Sequence, residues 1–171
     1  MGAGKTTIGK KLAKELKLSF IDLDWYIEQR YHKTIKDLFV DYGESVFREI
    51  EKKMLHEVTD IEDVVISTGG GVPCFSDNMN FMNANGATIY LQLSSQQLFD
   101  RLKNARQSRP LLRDKSEDEL LEYITSTLEK RNSFYKQAML IFKQGNLSTV
   151  KDVHETTLAL IERLKMNNMF L

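Results

Sequence analysis

Near its start the chain reads Gly2-Ala3-Gly4-Lys5-Thr6-Thr7, and at once Ile8, Leu12 and Leu16 recur every four residues. A glycine-rich turn running into an amphipathic helix fixes local geometry more tightly than any other stretch of this sequence. Glycines let successive backbone N–H groups curl toward one point without Cβ clashes, and the helix that follows aims its positive N-terminus at the same point. A chain of phosphates suits such a cradle. Gly4-Lys5-Thr6 has the form of the end of a G-x-x-x-x-G-K-[ST] loop, in which the lysine reaches the β- and γ-phosphates and the hydroxyl reaches Mg²⁺. The candidate nucleotide-binding residues are therefore Gly2, Ala3, Gly4, Lys5, Thr6 and Thr7.

The first glycine of that motif would fall ahead of Met1, as would the strand that leads into the loop. In folds of this kind that strand is central. Without it two strand edges lie open and several apolar side chains lose their burial, each worth about 1.5–3 kcal/mol. A domain's whole stability is about 5–15 kcal/mol. The expectation is a natural protein that begins about ten residues upstream, enough for one strand and its turn.

Downstream, short β-branched runs alternate with helical patterns. Phe20-Ile21-Asp22-Leu23 reads as a short strand; helices follow at residues 25–31, 35–42 and 45–58, the last two separated by Gly43. Val64-Val65-Ile66-Ser67 suits a strand buried on both faces. A helix at 76–85, a strand at 88–93 and a helix capped by Ser94 or Ser95 come next. Residues 104–115 hold Arg106, Arg109, Arg113, Lys115 and one proline with little periodicity, and read as a mobile loop. A long helix over 117–137, a strand at 139–143 and a helix over 151–165, with Leu158, Ile161 and Leu164 inward, complete the pattern. This order predicts an α/β fold: a three-layer parallel sheet with helices on both faces, its amino-terminal strand missing from the sequence.

Composition narrows the function. The 171 residues suit one domain, 42% are apolar, and 24 basic residues balance 24 acidic ones. That balance argues against nucleic acid as a partner. One cysteine, Cys74, excludes an intrachain disulfide and points to a reducing compartment, the cytoplasm, and no apolar run approaches the ~20 residues of a membrane span. Cys74 with His32, His56 or His154 lacks metal-ligand spacing.

Chemistry-bearing residues gather in four further places. Asp22 and Asp24 flank Leu23 at a strand end, where alternation puts both on one side; one could hold Mg²⁺ and the other accept a proton, although Asp24 could equally cap the next helix. Gly69-Gly70-Gly71 follows a strand and lets a ligand approach the backbone, more than a plain turn needs. Arg48 and Arg131 would each pass alone for solvated helical charges. Arg109, within Arg109-Pro110-Leu111-Leu112, could swing over a nucleotide and neutralise the phosphoryl group in flight.

Taken together, these stretches resemble the shikimate kinase family. The resemblance rests on Met1–Thr7, Ile21–Asp24 with Ile27-Glu28-Gln29-Arg30, Phe47-Arg48-Glu49-Ile50-Glu51, Ser67–Gly71, Arg109–Leu112 and Lys130-Arg131 through Tyr135, in order and across nearly the whole chain. It implies a single P-loop kinase domain of the nucleoside-monophosphate-kinase type, with substrate-binding helices at about 24–60 and a mobile lid at about 104–116. The implied reaction is ATP-dependent phosphorylation of the 3-hydroxyl of shikimate, a step of aromatic amino acid (chorismate) biosynthesis. Lys5 and Thr6 would handle triphosphate and Mg²⁺, with Asp22 near the metal. Asp24 would bind the substrate hydroxyls and act as base. Arg48 and Arg131 would pair with the substrate carboxylate, Gly69, Gly70 and Gly71 would line its pocket, and Arg109 would close over the nucleotide. ATP and shikimate would be the partners of a monomer. These roles suit the chemistry: guanidinium forks bind carboxylates bidentately, and a closed lid keeps water from the phosphoryl group. The rivals are another small-molecule kinase, for gluconate or a nucleoside monophosphate, and a non-catalytic module with an incomplete phosphate loop. Arg48 and Arg131 pointing apart would favour the first; Lys5, Asp24, Arg48 and Arg131 being present together argues against the second.

Overall fold

The computed structural model describes residues 2–103, 115–145 and 147–169. Arg106, Arg109 and Arg113, and with them most of the expected lid, lie outside the described residues.

The elements run α1 (Lys5–Leu16), β1 (Ser19–Asp22), α2 (Leu23–Tyr31), α3 (Ile35–Thr59), β2 (Val64–Ser67), α4 (Asn78–Asn85), β3 (Ile89–Gln92), α5 (Ser95–Lys103), α6 (Glu117–Tyr135), β4 (Leu140–Lys143) and α7 (Val150–Met166). Local chemistry sets most of the boundaries. Thr34, Ser116 and Thr149 each accept the backbone N–H three residues on, and Glu119 and Asp152 return the bond to complete capping boxes on α6 and α7. Gly43 interrupts α3 with φ 76° and ψ 171°, so the helix bends where the sequence reading divided it. The helix expected from residue 76 starts two residues later, after a 3₁₀ turn at Val72–Cys74.

All strand pairing is parallel. β1 lies on β2 with Ser19 opposite Val64 and Asp22 opposite Ser67; β3 lies on β4 with Ile89 opposite Leu140 and Gln92 opposite Lys143. Among the described residues the two pairs form separate two-stranded sheets. One apolar cluster joins them: Ile8 and Leu12 of α1 pack with Leu140, Phe142, Leu160, Ile161 and Leu164, and Val65 of β2 with Ile89 and Leu91 of β3 pack against that group. Ile21 and Ile66 face the opposite way, onto Leu23, Ile27, Leu38, Phe47, Met54, Leu55, Val58 and Val72. Val65 and Ile66 are adjacent, so β2 is covered on both faces, as three layers require.

Two expectations are corrected. Along β2 only Ser67 is buried, and the valines and isoleucine are half-buried, because β2 has a hydrogen-bonded neighbour on one edge only. On α7 the inward residues are Thr157, Leu160, Ile161 and Leu164, while Leu158 is 42% exposed; the stripe follows 157-160-161-164 spacing, which leaves 158 on the flank.

Candidate active site

The phosphate loop ends at Gly4, whose left-handed backbone (φ 78°) opens α1. No side chain caps this helix and its first turn carries no acid, so its N–H groups and positive dipole end keep their attraction for an anion. The loop is braced from the side: Gln144 Nε2 donates to the Ala3 carbonyl at 3.0 Å, and a Cβ on Gly4 would come within 2.8 Å of Leu147. Thr6 Oγ1 donates to Asp22 Oδ2 at 2.7 Å, which ties the loop to the end of β1.

The strand alternation expected for Asp22 and Asp24 does not occur. β1 stops at Asp22, whose carboxylate accepts from the Trp25 N–H at 3.4 Å and caps α2; Asp24 sits inside the first helical turn. An aspartate competes for backbone N–H groups ahead of it, and here the cap wins over one more strand residue. The two carboxylates remain neighbours nonetheless. Asp24 has its pKa raised, first by desolvation from the walls around it and then by the charge of Asp22, while Lys5 and, more weakly, Arg48 pull the other way. Asp24 keeps surface open to water, so it lies in a crowded but wet cleft.

Arg48 projects from the second half of α3. Its Nη1 donates to Glu51 Oε2 at 2.8 Å and its Nη2 to Glu44 Oε1 at 3.0 Å; the guanidinium stacks 3.9 Å over Phe75, with Phe47 and Phe39 farther out. Its Nε is buried without a hydrogen-bond partner among the described residues. Glu51 is buried, and burial pushes its carboxyl up against the pull of Arg48.

The glycine run forms the wall between these groups. A Cβ on Gly69 would stand 2.7 Å from Asp24 Oδ1 and 3.5 Å from Glu51 Oε1, and one on Gly71 would stand 2.7 Å from Arg48 Nη1. The absent side chains are what allow Asp24, Glu51 and Arg48 to crowd the loop. From the far side α6 brings Tyr135, whose hydroxyl donates to the Gly70 carbonyl at 2.6 Å. Arg131, one turn earlier, lies close enough to lower the Tyr135 pKa that burial otherwise raises. Arg48 and Arg131 both bear on Glu51 and on the half-buried thiol of Cys74, which puts the two guanidiniums in one neighbourhood.

The structure thus gathers Lys5, Thr6, Asp22, Asp24, Arg48, Gly69, Gly70, Gly71 and Arg131 around one cleft, and Arg109 lies outside the described residues. The residue reading gave no role to Glu44, Glu51, Phe75 or Tyr135. Glu51 and Tyr135 stand three and four positions after an arginine on the same helix, a spacing that predicts contact. Thr6 and Asp22 present a hydroxyl and a carboxylate oxygen side by side, the hard donors that suit Mg²⁺; few protein ligands are needed when phosphates and water supply the rest. Among the described residues no three His, Cys, Asp or Glu cluster as a metal site.

Comparison with known proteins agrees with this geometry. The family model described as Shikimate kinase matches residues 1–162. A shikimate kinase of Parabacteroides distasonis is 54% identical over 96% of this chain and 95% of its own, and one of Bacteroides fragilis is 54% identical over 96% and 91%. Among solved structures, shikimate kinase from Bacteroides thetaiotaomicron superposes with a TM-score of 0.93 at 52% identity, covering 96% of this chain and 94% of that one. Shikimate kinase from Acinetobacter baumannii in complex with shikimate gives 0.84 at 28% identity, covering 99% and 91%. With a family match over nearly its whole length and relatives above half identity, the chain belongs to the shikimate kinase family.

Proposed function

We propose that in this shikimate kinase the ATP-dependent transfer runs across Asp24, with phosphates on one side of it and the acceptor's carboxylate on the other. The observation that carries this reading is electrostatic: one carboxyl feels both Lys5 of the phosphate loop and Arg48 of the acid pocket. Gly2, Ala3, Gly4 and Thr7 contribute the cradle, and Lys5 reaches the terminal phosphates. Thr6 and Asp22 would hold Mg²⁺, which when bound neutralises charge on the phosphates.

Shikimate would lie with its carboxylate on Arg48 and Arg131 and its ring against Gly69–Gly71. Asp24 accepts the proton of the 3-hydroxyl as that oxygen bonds to the γ-phosphorus and the bond to the β-phosphate oxygen breaks, which leaves ADP. Arg109 would complete the site as a lid residue over the nucleotide. The nearness of the two guanidiniums suits an anionic acceptor that both grip, as the carboxylate of shikimate would be. The reading includes a monomer in the reducing cytoplasm, where a free Cys74 thiol persists. Among the described residues no helix is long and apolar enough to cross a membrane.

A coupled ADP-release assay tests it. Turnover should require shikimate and be absent with gluconate, nucleoside monophosphates or no acceptor. Turnover with gluconate, or ATP hydrolysis to water at the same rate, overturns the substrate assignment.

A further inference from the structure

The two acids on Arg48 are unlike. Glu51 is 3% exposed and wedged toward Asp24 and Gly69, whereas Glu44 is 61% exposed and follows Gly43, around which a Cβ would meet nothing within 4 Å. Each holds one terminal nitrogen of the guanidinium. One positive charge is therefore already flanked by two negative ones. A substrate carboxylate entering here finds both terminal nitrogens of Arg48 already taken by acids unless one of them withdraws. Glu51 has no room and no water to retreat into. Glu44 needs only a side-chain rotation into solvent.

We infer that Glu44 is a tethered stand-in for the acceptor's carboxylate: it occupies Nη2 of Arg48 while the site is empty and is displaced when the acid binds. This rests on the reading that Arg48 takes the substrate carboxylate. Its function is twofold. It keeps the guanidinium oriented over Phe75 before the substrate arrives. It also sets a threshold that an anionic acceptor must exceed to enter, so Glu44 tunes affinity by competition, as a positioning residue and not as a contact.

The sign of the effect separates displacement from simple support. Exposed ion pairs of this kind are weak, so Glu44→Gln should bind shikimate about two- to fivefold more tightly in a calorimetric titration. The methyl ester of shikimate, which has no charge to compete with Glu44, should bind wild type and Glu44→Gln alike, and the KM for ATP should not move. Unchanged or weakened shikimate binding in Glu44→Gln overturns the inference, and so does an equal gain for the ester. The double variant Arg48→Met/Glu51→Gln, which leaves no buried charge unpaired, tests the underlying reading separately. If it retains full shikimate affinity, Arg48 is not the carboxylate's partner and both statements fall. If it loses affinity while Glu44→Gln gains none, only the displacement falls.

Discussion

The two halves of this active site are held by opposite means. Around the acid pocket every functional group is locked by other side chains: Arg48 by Glu51, Glu44 and Phe75, and the glycine wall by Tyr135. Beneath it lies a cluster in which Leu23, Ile27, Leu38 and Val58 are fully buried. The phosphate loop has far less. Its helix start has no side-chain cap among the described residues, and its flanks are set by Gln144 at Ala3, Leu102 beside Gly2, Leu147 beside Gly4 and the Thr6–Asp22 bond. A pocket that must tell one small acid from another needs donors fixed in advance, because specificity comes from preset geometry. A phosphate chain is gripped by backbone N–H groups and a helix dipole, and those serve best when no protein group has satisfied them first. Recognition is prebuilt on one side and kept in reserve on the other.

The largest effect is expected where the halves meet. Asp24→Asn removes the proton acceptor and should lower kcat by about 10²–10⁴-fold. Stability should move the other way. A carboxyl whose pKa is raised on folding stabilises the protein fully below its unfolded value and loses that contribution as pH rises through the folded value. At neutral pH the ionised Asp24 is thus a net cost, discounted for the water that reaches it. Thermal melts should show a modest rise in Tm for Asp24→Asn at pH 7 that shrinks toward acid pH. A fall in Tm at pH 7 would show that Asp24 holds the fold together instead of straining it.

The contrast itself is tested by a crossed pair. Lys5→Ala should cut kcat by about 10²–10³-fold, as removal of a donor to transition-state charge does elsewhere, with shikimate affinity nearly unchanged. Arg48→Ala should do the reverse, weakening shikimate binding by about ten- to hundredfold, since loss of one charge-assisted partner costs about 1.5–3 kcal/mol. ATP binding should survive it. Arg48→Ala should also lower Tm, because Glu51 then stays buried without its partner. Equal loss of both ligands in either variant would mean that the halves are one unit.

Much of this arrangement could be read from the chain, and the residues that could not share a cause. Val64–Ser67 announced β2 by β-branching, Gly43 announced the break in α3, and the residue types of Asp24, Arg48, Arg131 and the glycine run singled them out before their neighbourhood was seen. These signals are local or rest on residue types with few other uses. Glu51 and Tyr135 are common helix residues whose task depends on which face their helix turns to the cleft, and that is settled by packing. The strand alternation expected for Asp22 and Asp24 failed for a local reason: strand extension and helix capping compete over a single residue, and the sequence does not weigh them. The half-buried state of β2 goes with an open edge, which the reading of its own residues as buried on both faces did not take into account although the absent leading strand implied it.

The smallest predicted effect probes the finest part of the contrast, the tether on the glycine wall. Tyr135 Oη reaches the Gly70 carbonyl at 2.6 Å and Arg131 lies one turn earlier, close enough to bear on the same tyrosine, so one helical turn of α6 carries both a guanidinium proposed for the acid and the bolt for its wall. Tyr135→Phe keeps the ring, and with it the contact to Tyr90 at 5.1 Å between centroids, and deletes only the hydroxyl. A neutral hydrogen bond is worth about 0.5–1.5 kcal/mol, so the KM for shikimate should rise by about two- to tenfold. The KM for ATP should stay put, because Gly70 belongs to the prebuilt half and the phosphate loop borrows nothing from Tyr135. Steady-state kinetics in both substrates reads this directly. If kcat falls while the KM for shikimate holds, the hydroxyl acts on the reacting groups and not on the wall. If both KM values rise together, the bolt spans the halves, and the division between them is drawn in the wrong place.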